Sequence, residues 1–282
     1  MRRTTANVVF FWDYDTQWGA DRSRSPGGPK HWGPLEFGHT ERLLELHAQY
    51  NIPACFAVVG AAALPGERPY HDPEQIRRIH AAGHEIASHS FSHDWLPALG
   101  PCALRETLRR SKDAIEQCIG APVLSFVPPY NQPFDYLRGL SISLSERRSV
   151  RHDRTDLRRL CDALRECGYR FCRVSYRPLW QRLVERMLRK RLHLPLRPVR
   201  IAGVTCLRLT TTGFDRAAAE ALGRAVRRGG FVAISGHPHS LHSGNPQDEK
   251  HLVPLLRQIS QLRGSGCLQV LLPRDLTQTT RV

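Results

Sequence analysis

Two short-range pairs of residues carry the strongest chemical signal in this chain of 282 residues. His89 and His93 stand four positions apart, directly after a predicted strand, and can converge on one metal ion. Asp13 and Asp15 follow an apolar run, and the alternation of a strand sends both side chains to the same side. Acidic residues at the ends of barrel strands are typical of catalytic or metal sites. We therefore expect the two pairs to contribute to one site.

The two pairs suggest a division of roles. Asp15 with His89 and His93 offers one oxygen and two nitrogen ligands, as a hydrolytic zinc site with open positions requires. Asp13 would then be free to take a proton from the attacking water. Structural interpretations stay open at this point. Solvent-facing and capping histidines are common, and an aspartate at the end of a strand often caps the next turn.

Two further segments follow predicted strands. Gly236-His237-Pro238-His239 places an imidazole where it can protonate a leaving amine, and a structural turn histidine is the alternative. Phe126-Val127-Pro128-Pro129-Tyr130 contains two prolines, which fix the backbone and hold Tyr130 and its amide rigidly. His239 competes with His237 for the role of acid, and the following proline favours His237.

The order of these four segments resembles the polysaccharide deacetylases, the NodB-homology or carbohydrate esterase 4 family, in a divergent D-x-D variant. The stretches 43–60 and 79–93 carry the resemblance, the second of them almost letter for letter. It implies a distorted (β/α)7-type barrel that binds one divalent metal, with Zn2+ as the expected ion. The implied reaction removes an N-acyl group, acetyl or formyl, from an amino sugar.

The resemblance also implies roles for individual residues. Asp15, His89 and His93 would be the metal ligands, Asp13 the base and His237 the acid. The backbone amide of Tyr130 would help to stabilise the oxyanion. The substrate is expected to contact Trp18, Pro129 and His239.

This chain departs from the family pattern at Val127, where the family has an arginine that orients the catalytic aspartate. An apolar side chain cannot make that charge-assisted bond. Either another arginine substitutes, with Arg22, Arg24 and Arg173 as the candidates, or Asp13 is less well oriented as a base.

The rest of the chain predicts alternating strands and helices, and hence one α/β domain over residues 1–282 with a mostly parallel sheet. Two stretches interrupt the alternation. Gln17–Gly38, rich in Gly, Pro, Trp and Arg, predicts a long loop beside the site. Asn131–Arg200 predicts an inserted basic segment. Within it, 178–192 predicts an amphipathic helix with an apolar stripe and a basic flank, made of Trp180, Leu183, Val184, Met187, Leu188 and Leu192 beside Arg182, Arg186, Arg189 and Lys190.

Charge and cysteine usage suggest partners and compartment. The net charge of +15 favours anionic partners, although a composition rich in arginine explains it equally well. The substrate is accordingly expected to be a free, phosphorylated, nucleotide-linked or lipid-linked amino sugar. We expect no nucleic acid partner, because no recognised motif accompanies the charge. Eight cysteines without a C-x-x-C pair, and no spanning apolar run, favour the cytoplasm.

Three alternatives concern the basic helix and the activity. The apolar stripe is expected to pack on the barrel, and contact with an anionic membrane at the inner face of the cell is the alternative. A same-fold hydrolase of non-sugar C–N bonds, as in the allantoinase-like branch, is a second reading of the activity. A non-catalytic, anion-binding descendant is the third, and Val127 with the high charge is the evidence for it.

Overall fold

The computed structural model describes residues 6–23, 31–131, 136–137, 140–141, 157–175, 179–189 and 195–278. The strands are β1 (Ala6–Tyr14), β2 (Cys55–Val58), β3 (Glu85–Ser88), β4 (Ser125–Phe126), β5 (Tyr136–Leu137), β6 (Leu140–Ser141), β7 (Phe171–Val174), β8 (Val199–Ile201), β9 (Val204–Arg208), β10 (Thr211–Thr212), β11 (Gly230–Gly236) and β12 (Leu268–Val270). The helices are α1 (Thr16–Arg22), α2 (Gly33–Tyr50), α3 (Pro73–Ala81), α4 (Pro101–Ile119), α5 (Leu157–Glu166), α6 (Leu179–Leu188), α7 (Arg216–Arg228), α8 (Glu249–Gly264) and α9 (Pro273–Gln278).

One curled sheet organises the molecule. Its strands lie in the order β10, β11, β1, β2, β3, β4, β7, β9 and β8, and β12 pairs with the first residues of β1. The pairings between these strands are parallel except for β8 with β9. Helices connect most of the parallel strands, as right-handed crossovers require. The predicted α/β fold with a distorted barrel is confirmed.

The alternation of side chains along β1 separates two layers of the core. Phe10, Trp12 and the other residues on the same side of β1 belong to the larger cluster, which includes side chains of the surrounding helices. Val9 and Phe11 instead belong to a smaller cluster inside the curl, which contains residues of six further strands or strand ends and Leu276 of α9. Asp13 continues the inner series, because it lies two residues beyond Phe11. The inner face of the sheet therefore leads directly to the candidate site.

The predicted loop over Gln17–Gly38 is wrong in part. Residues 16–22 form α1, and α2 begins at Gly33, inside the predicted loop. Gly33, one of the glycines in this stretch, permits close packing of the two helices. A Cβ at Gly33 would lie 2.8 Å from the backbone nitrogen of Gln17, so only glycine lets the two helices approach so closely. Arg24 falls outside the described residues.

The predicted inserted segment Asn131–Arg200 is described in part. Its described parts are β5, β6, α5, β7, α6 and a stretch that includes β8. The short strands β8, β9 and β10 were not among the predicted elements, although Val204 and Cys206 of β9 are fully buried.

The expectation that the apolar stripe of α6 packs on the barrel is wrong for three of its described side chains, whereas Val184 is partly buried. Leu183, Met187 and Leu188 are exposed to 52%, 76% and 59%. The side chain of Trp180 and residue Leu192 lie outside the described part of the chain. Within that part, no helix combines the length and apolarity that crossing a membrane requires.

Candidate active site

Asp15, His89 and His93 meet at the carboxyl ends of β1 and β3. All three are buried, and one ligand atom from each lies within 4.8 Å of the others. The Nε2 atoms of His89 and His93 lie 3.4 and 3.6 Å from Asp15 Oδ1. Ligands about 2.0–2.2 Å from a tetrahedral ion are about 3.3–3.6 Å apart, so this geometry suits one Zn2+. Asp15 Oδ1 also lacks a hydrogen-bond partner among the described residues, as an atom reserved for a metal would.

A buried carboxylate holds the backbone around Asp15. Glu36, fully buried in the first turn of α2, accepts hydrogen bonds from the backbone N–H groups of Asp15 and Thr16 at 3.1 and 2.5 Å. Thr16 needs this support because its φ is +54°, in the left-handed region. On the other side, a Cβ at Gly19 would lie 2.5 Å from the Cβ of Asp15. The position of the aspartate is thus set by two residues that the sequence analysis did not single out.

The two histidines are held by the turn that follows β3. The backbone N–H of His89 continues the ladder to Val58, and its Nδ1 lies 2.6 Å from the carbonyl oxygen of Val127. That contact requires Nδ1 to donate, so Nε2 is left unprotonated and faces Asp15. Ser90 and His93 have φ angles of +63° and +57°. Left-handed backbone at non-glycine residues costs free energy, and such strain is typical of functional sites.

Asp13 forms a buried, bidentate ion pair with Arg173. Arg173 Nη1 and Nη2 donate to the two carboxylate oxygens of Asp13, each at 2.6 Å, and the Arg173 side chain is 1% exposed. Phe171 and Arg173 share the inner face of β7, and the guanidinium lies 5.3 Å from the ring centre of Phe11. Of the three predicted substitutes for the arginine that Val127 replaces, Arg173 is the one that contacts Asp13. Arg22 instead forms an ion pair with Asp94 at 3.6 Å.

His237 approaches the same carboxylate from β11. Its Nε2 lies 3.9 Å from Asp13 Oδ2, and its side chain is 25% exposed. Gln247 accepts from the backbone N–H of His237 at 2.5 Å and places its Nε2 3.5 Å from the ring Nδ1. An amide that donates to Nδ1 leaves the proton on Nε2, on the side of Asp13. Gln247 is a further positioning residue that sequence reasoning missed.

His239 lies beside His237, with 5.1 Å between the ring centres, but its ring faces other groups. Its ring stacks on Trp32 with 4.4 Å between centres, and its Nδ1 lies 3.9 Å from Glu36. The structure therefore directs His237, and not His239, toward Asp13. Burial lowers the pKa of His239 to about 4, so this ring is neutral near pH 7.

Tyr130 covers His93. The two rings contact edge to face at 4.5 Å, and the φ of Tyr130 is +58° in the tight turn that begins at the buried Pro129. Arg173 also donates to the side-chain oxygen of Asn131 at 3.1 Å, which ties this turn to the ion pair. Trp18, predicted to contact substrate, lies on α1 and packs edge-on against Tyr70 and His71.

Burial and neighbouring charges determine the protonation states of the site residues. Burial would favour the protonated form of Asp13, but the charge and hydrogen bonds of Arg173 outweigh it and lower the pKa of Asp13. Burial also favours protonated Asp15, and the nearby His93 and His89 outweigh it to hold its pKa far below the usual range. Burial lowers the pKa of His93 to about 4. Both aspartates are thus ionised near neutral pH, and the ring of His93 is neutral.

Comparison with known proteins shows which family part of the chain resembles. The sequence profile of the polysaccharide deacetylases matches residues 32–143, which include both histidines and Tyr130. A chitooligosaccharide deacetylase of Sinorhizobium fredii is 36% identical over 75 residues, 27% of this chain and 31% of the relative. Over residues 32–143 this chain is therefore similar to the polysaccharide deacetylase family. The matched stretches span only about a third of the chitooligosaccharide deacetylases.

Two solved structures share the fold of this chain. A Mycobacterium smegmatis protein named after the polysaccharide deacetylase family aligns with a TM-score of 0.63 at 20% identity, over 99% of this chain and 91% of that one. A carbohydrate esterase 4 family pseudoenzyme of Bacillus anthracis aligns with a TM-score of 0.51 at 14% identity, over 100% of this chain and 68% of that one. At such identities the likeness concerns the fold, so activity has to be argued from the site.

Proposed function

We propose that this protein is a metal-dependent hydrolase that removes the N-acetyl group from an amino sugar within a glycan. The observation that carries the proposal is the pairing of two sets of groups. Asp15, His89 and His93 present an open ligand set for a divalent ion, and Asp13 lies beside it in an oriented, ionised state. The names of the related chitooligosaccharide deacetylases support an acetylated amino sugar as the substrate class.

The metal ion, expected to be Zn2+, would polarise the amide carbonyl and activate water when bound. Asp13 accepts a proton from the attacking water, and Arg173 keeps this carboxylate ionised and oriented while it does so. His237 donates a proton to the departing amine, because Gln247 directs its Nε2 toward Asp13. The turn at Tyr130 lies against His93 and offers backbone N–H donors for the developing negative charge.

A non-catalytic, anion-binding descendant is the second candidate. Val127 favoured it at the level of sequence, because the family arginine is missing there. The ion pair between Arg173 and Asp13 removes that argument, since the charge-assisted bond is present from another strand. The allantoinase-like alternative keeps the same catalytic groups and differs only in substrate, so it becomes an arm of the test.

A substrate panel tests the proposal. Purified protein loaded with Zn2+ should release acetate from N-acetylglucosamine oligomers, with one free amine for each acetate. O-acetylated xylo-oligosaccharides and cyclic ureides serve as the ester and non-sugar arms. Asp13→Asn should lower turnover by about 10²–10⁴-fold, the usual contribution of general base catalysis, while metal content stays the same. Turnover of the ureide alone, or of no substrate, would overturn the assignment.

A further inference from the structure

The exposed face of α6 has the composition of a surface that binds something apolar. Leu183, Met187 and Leu188 lie within about one and a half turns of the helix and are exposed to 52%, 76% and 59%. Scattered single apolar residues are ordinary on protein surfaces, but neighbouring ones on one face mark an interaction site. Gln181 lies about 160° around the helix from Leu183 and is buried, so it anchors the first turn of α6.

Positive charge occupies the other face of α6. Arg186 and Arg189 are both exposed, about 60° and about 120° around the helix from Leu183. Glu185, the single acidic residue in the sequence of α6, accepts a hydrogen bond from Gln181 at 3.0 Å on the partly buried side. The accessible surface of the helix therefore combines apolar side chains with cations, and the whole chain carries a net charge of +15.

The helix stands on the same side of the sheet as the candidate site. Arg208, the last residue of β9, donates to the side-chain oxygen of Gln181 at 3.0 Å and so fixes the first turn of α6. The neighbouring strand β7 ends one residue after Arg173, which binds Asp13. A partner that covers α6 would therefore lie at the edge of the sheet where the parallel strands end. The candidate site lies at the same edge.

We propose that α6 docks the protein on an anionic lipid bilayer. Short helices with large apolar side chains on one face and arginines beside it lie in the interface of a membrane. Anionic headgroups attract each such cation, whereas a second copy of this chain would set Arg186 and Arg189 against their own like charges. Charge complementarity therefore favours the bilayer over self-association. The proposal is independent of which reaction the site performs.

Vesicle sedimentation tests the proposal. Full-length protein is mixed at low salt with vesicles of phosphatidylcholine alone or with a third of phosphatidylglycerol. Wild type should bind only the anionic vesicles. The double variant Arg186→Glu with Arg189→Glu should bind at least about 30-fold more weakly, the effect of losing two interfacial cations. Met187→Gln with Leu188→Gln should also reduce binding, because it removes the apolar contact and leaves every charge in place.

A matched control separates this surface from the overall charge. Arg227 and Arg228 are exposed at the end of α7, beside the start of β11 and thus at the opposite edge of the sheet. Reversing both to Glu changes the net charge equally and should alter binding less than about threefold, because interfacial attraction acts locally. Equal losses in the two charge-reversal variants would overturn the proposal. So would wild type that ignores anionic vesicles, or wild type whose dimers dissociate on Met187→Gln.

Discussion

Replacing Arg173 by methionine should damage both stability and catalysis, because the side chain supports a carboxylate that is almost fully buried. Its two hydrogen bonds of 2.6 Å to Asp13 compensate for the burial of both charges. Breaking a buried ion pair by removing one partner costs about 3–5 kcal/mol. With a denaturant dependence of about 3 kcal/mol per molar urea, the unfolding midpoint should fall by about 1–1.7 M. Arg170→Met, at an exposed position three residues earlier, is the matched control.

Arg173→Met also tests whether Arg173 orients Asp13 as the catalytic base. Acetate release by Arg173→Met, measured under conditions where the protein is folded, should fall by about 100-fold or more, since general base catalysis contributes about that much. Val127 packs in the same inner cluster as Phe11 and Phe171, so Val127→Arg in the Arg173→Met background should recover at least about tenfold. If Arg173→Met keeps wild-type turnover and its urea midpoint, the ion pair contributes neither orientation nor stability, and the reasoning is refuted.

Three further predictions concern the metal, the turn that carries it and acid sensitivity. His93→Ala should reduce the metal content from about one ion per chain to near zero, since two ligands remain; retention of the ion, measured by elemental analysis, would contradict the ligand assignment. Gly19→Ala should weaken metal binding at least about tenfold, because its Cβ would meet the Asp15 side chain at 2.5 Å, whereas Gly38→Ala, with nothing within 4 Å, should leave it unchanged. His47 and His84 have pKa values lowered by burial to about 3 and about 4, so the unfolded chain binds protons first as the pH falls below about 6.5. Each should therefore cost about 2 kcal/mol of stability at pH 5 relative to pH 8. His47→Gln should make the loss in urea midpoint smaller by about 0.7 M, which is about 2 kcal/mol at about 3 kcal/mol per molar urea; an unchanged loss would show that His47 is not responsible.

Local pattern was sufficient to predict the fold and to nominate most of the residues that the structure brings together. Buried strands alternating with amphipathic helices predict a parallel sheet whatever the details of its loops. The spacing of His89 and His93 after β3, and of Asp13 and Asp15 after β1, places four polar side chains at one edge. Arg173 was one of three candidates, and the signal that separates it was present: a charged residue inside a buried strand needs a partner.

Contacts between distant segments account for what the sequence did not reveal. Glu36 lies 21 residues from Asp15 in the chain, and nothing in its helical context indicates that its carboxylate supports that turn. Gln247 likewise lies in a loop, where no periodicity of the sequence indicates which residues its side chain contacts. In α1, Gly19 weakens the helical pattern while permitting the packing that shapes the site. The helical period of the apolar residues in α6 led to the expectation of core packing. Such a period shows that one face of a helix is apolar, but it does not show what covers that face.

Titration of metal-free protein with Zn2+, followed by acetate release from an N-acetylglucosamine oligomer, tests the proposed activity most directly. One ion held by Asp15, His89 and His93 predicts no turnover without metal, a linear rise with added Zn2+ and a plateau at about one equivalent. Full turnover by metal-free protein, or a protein that binds one ion and releases no acetate at any loading, would contradict the account.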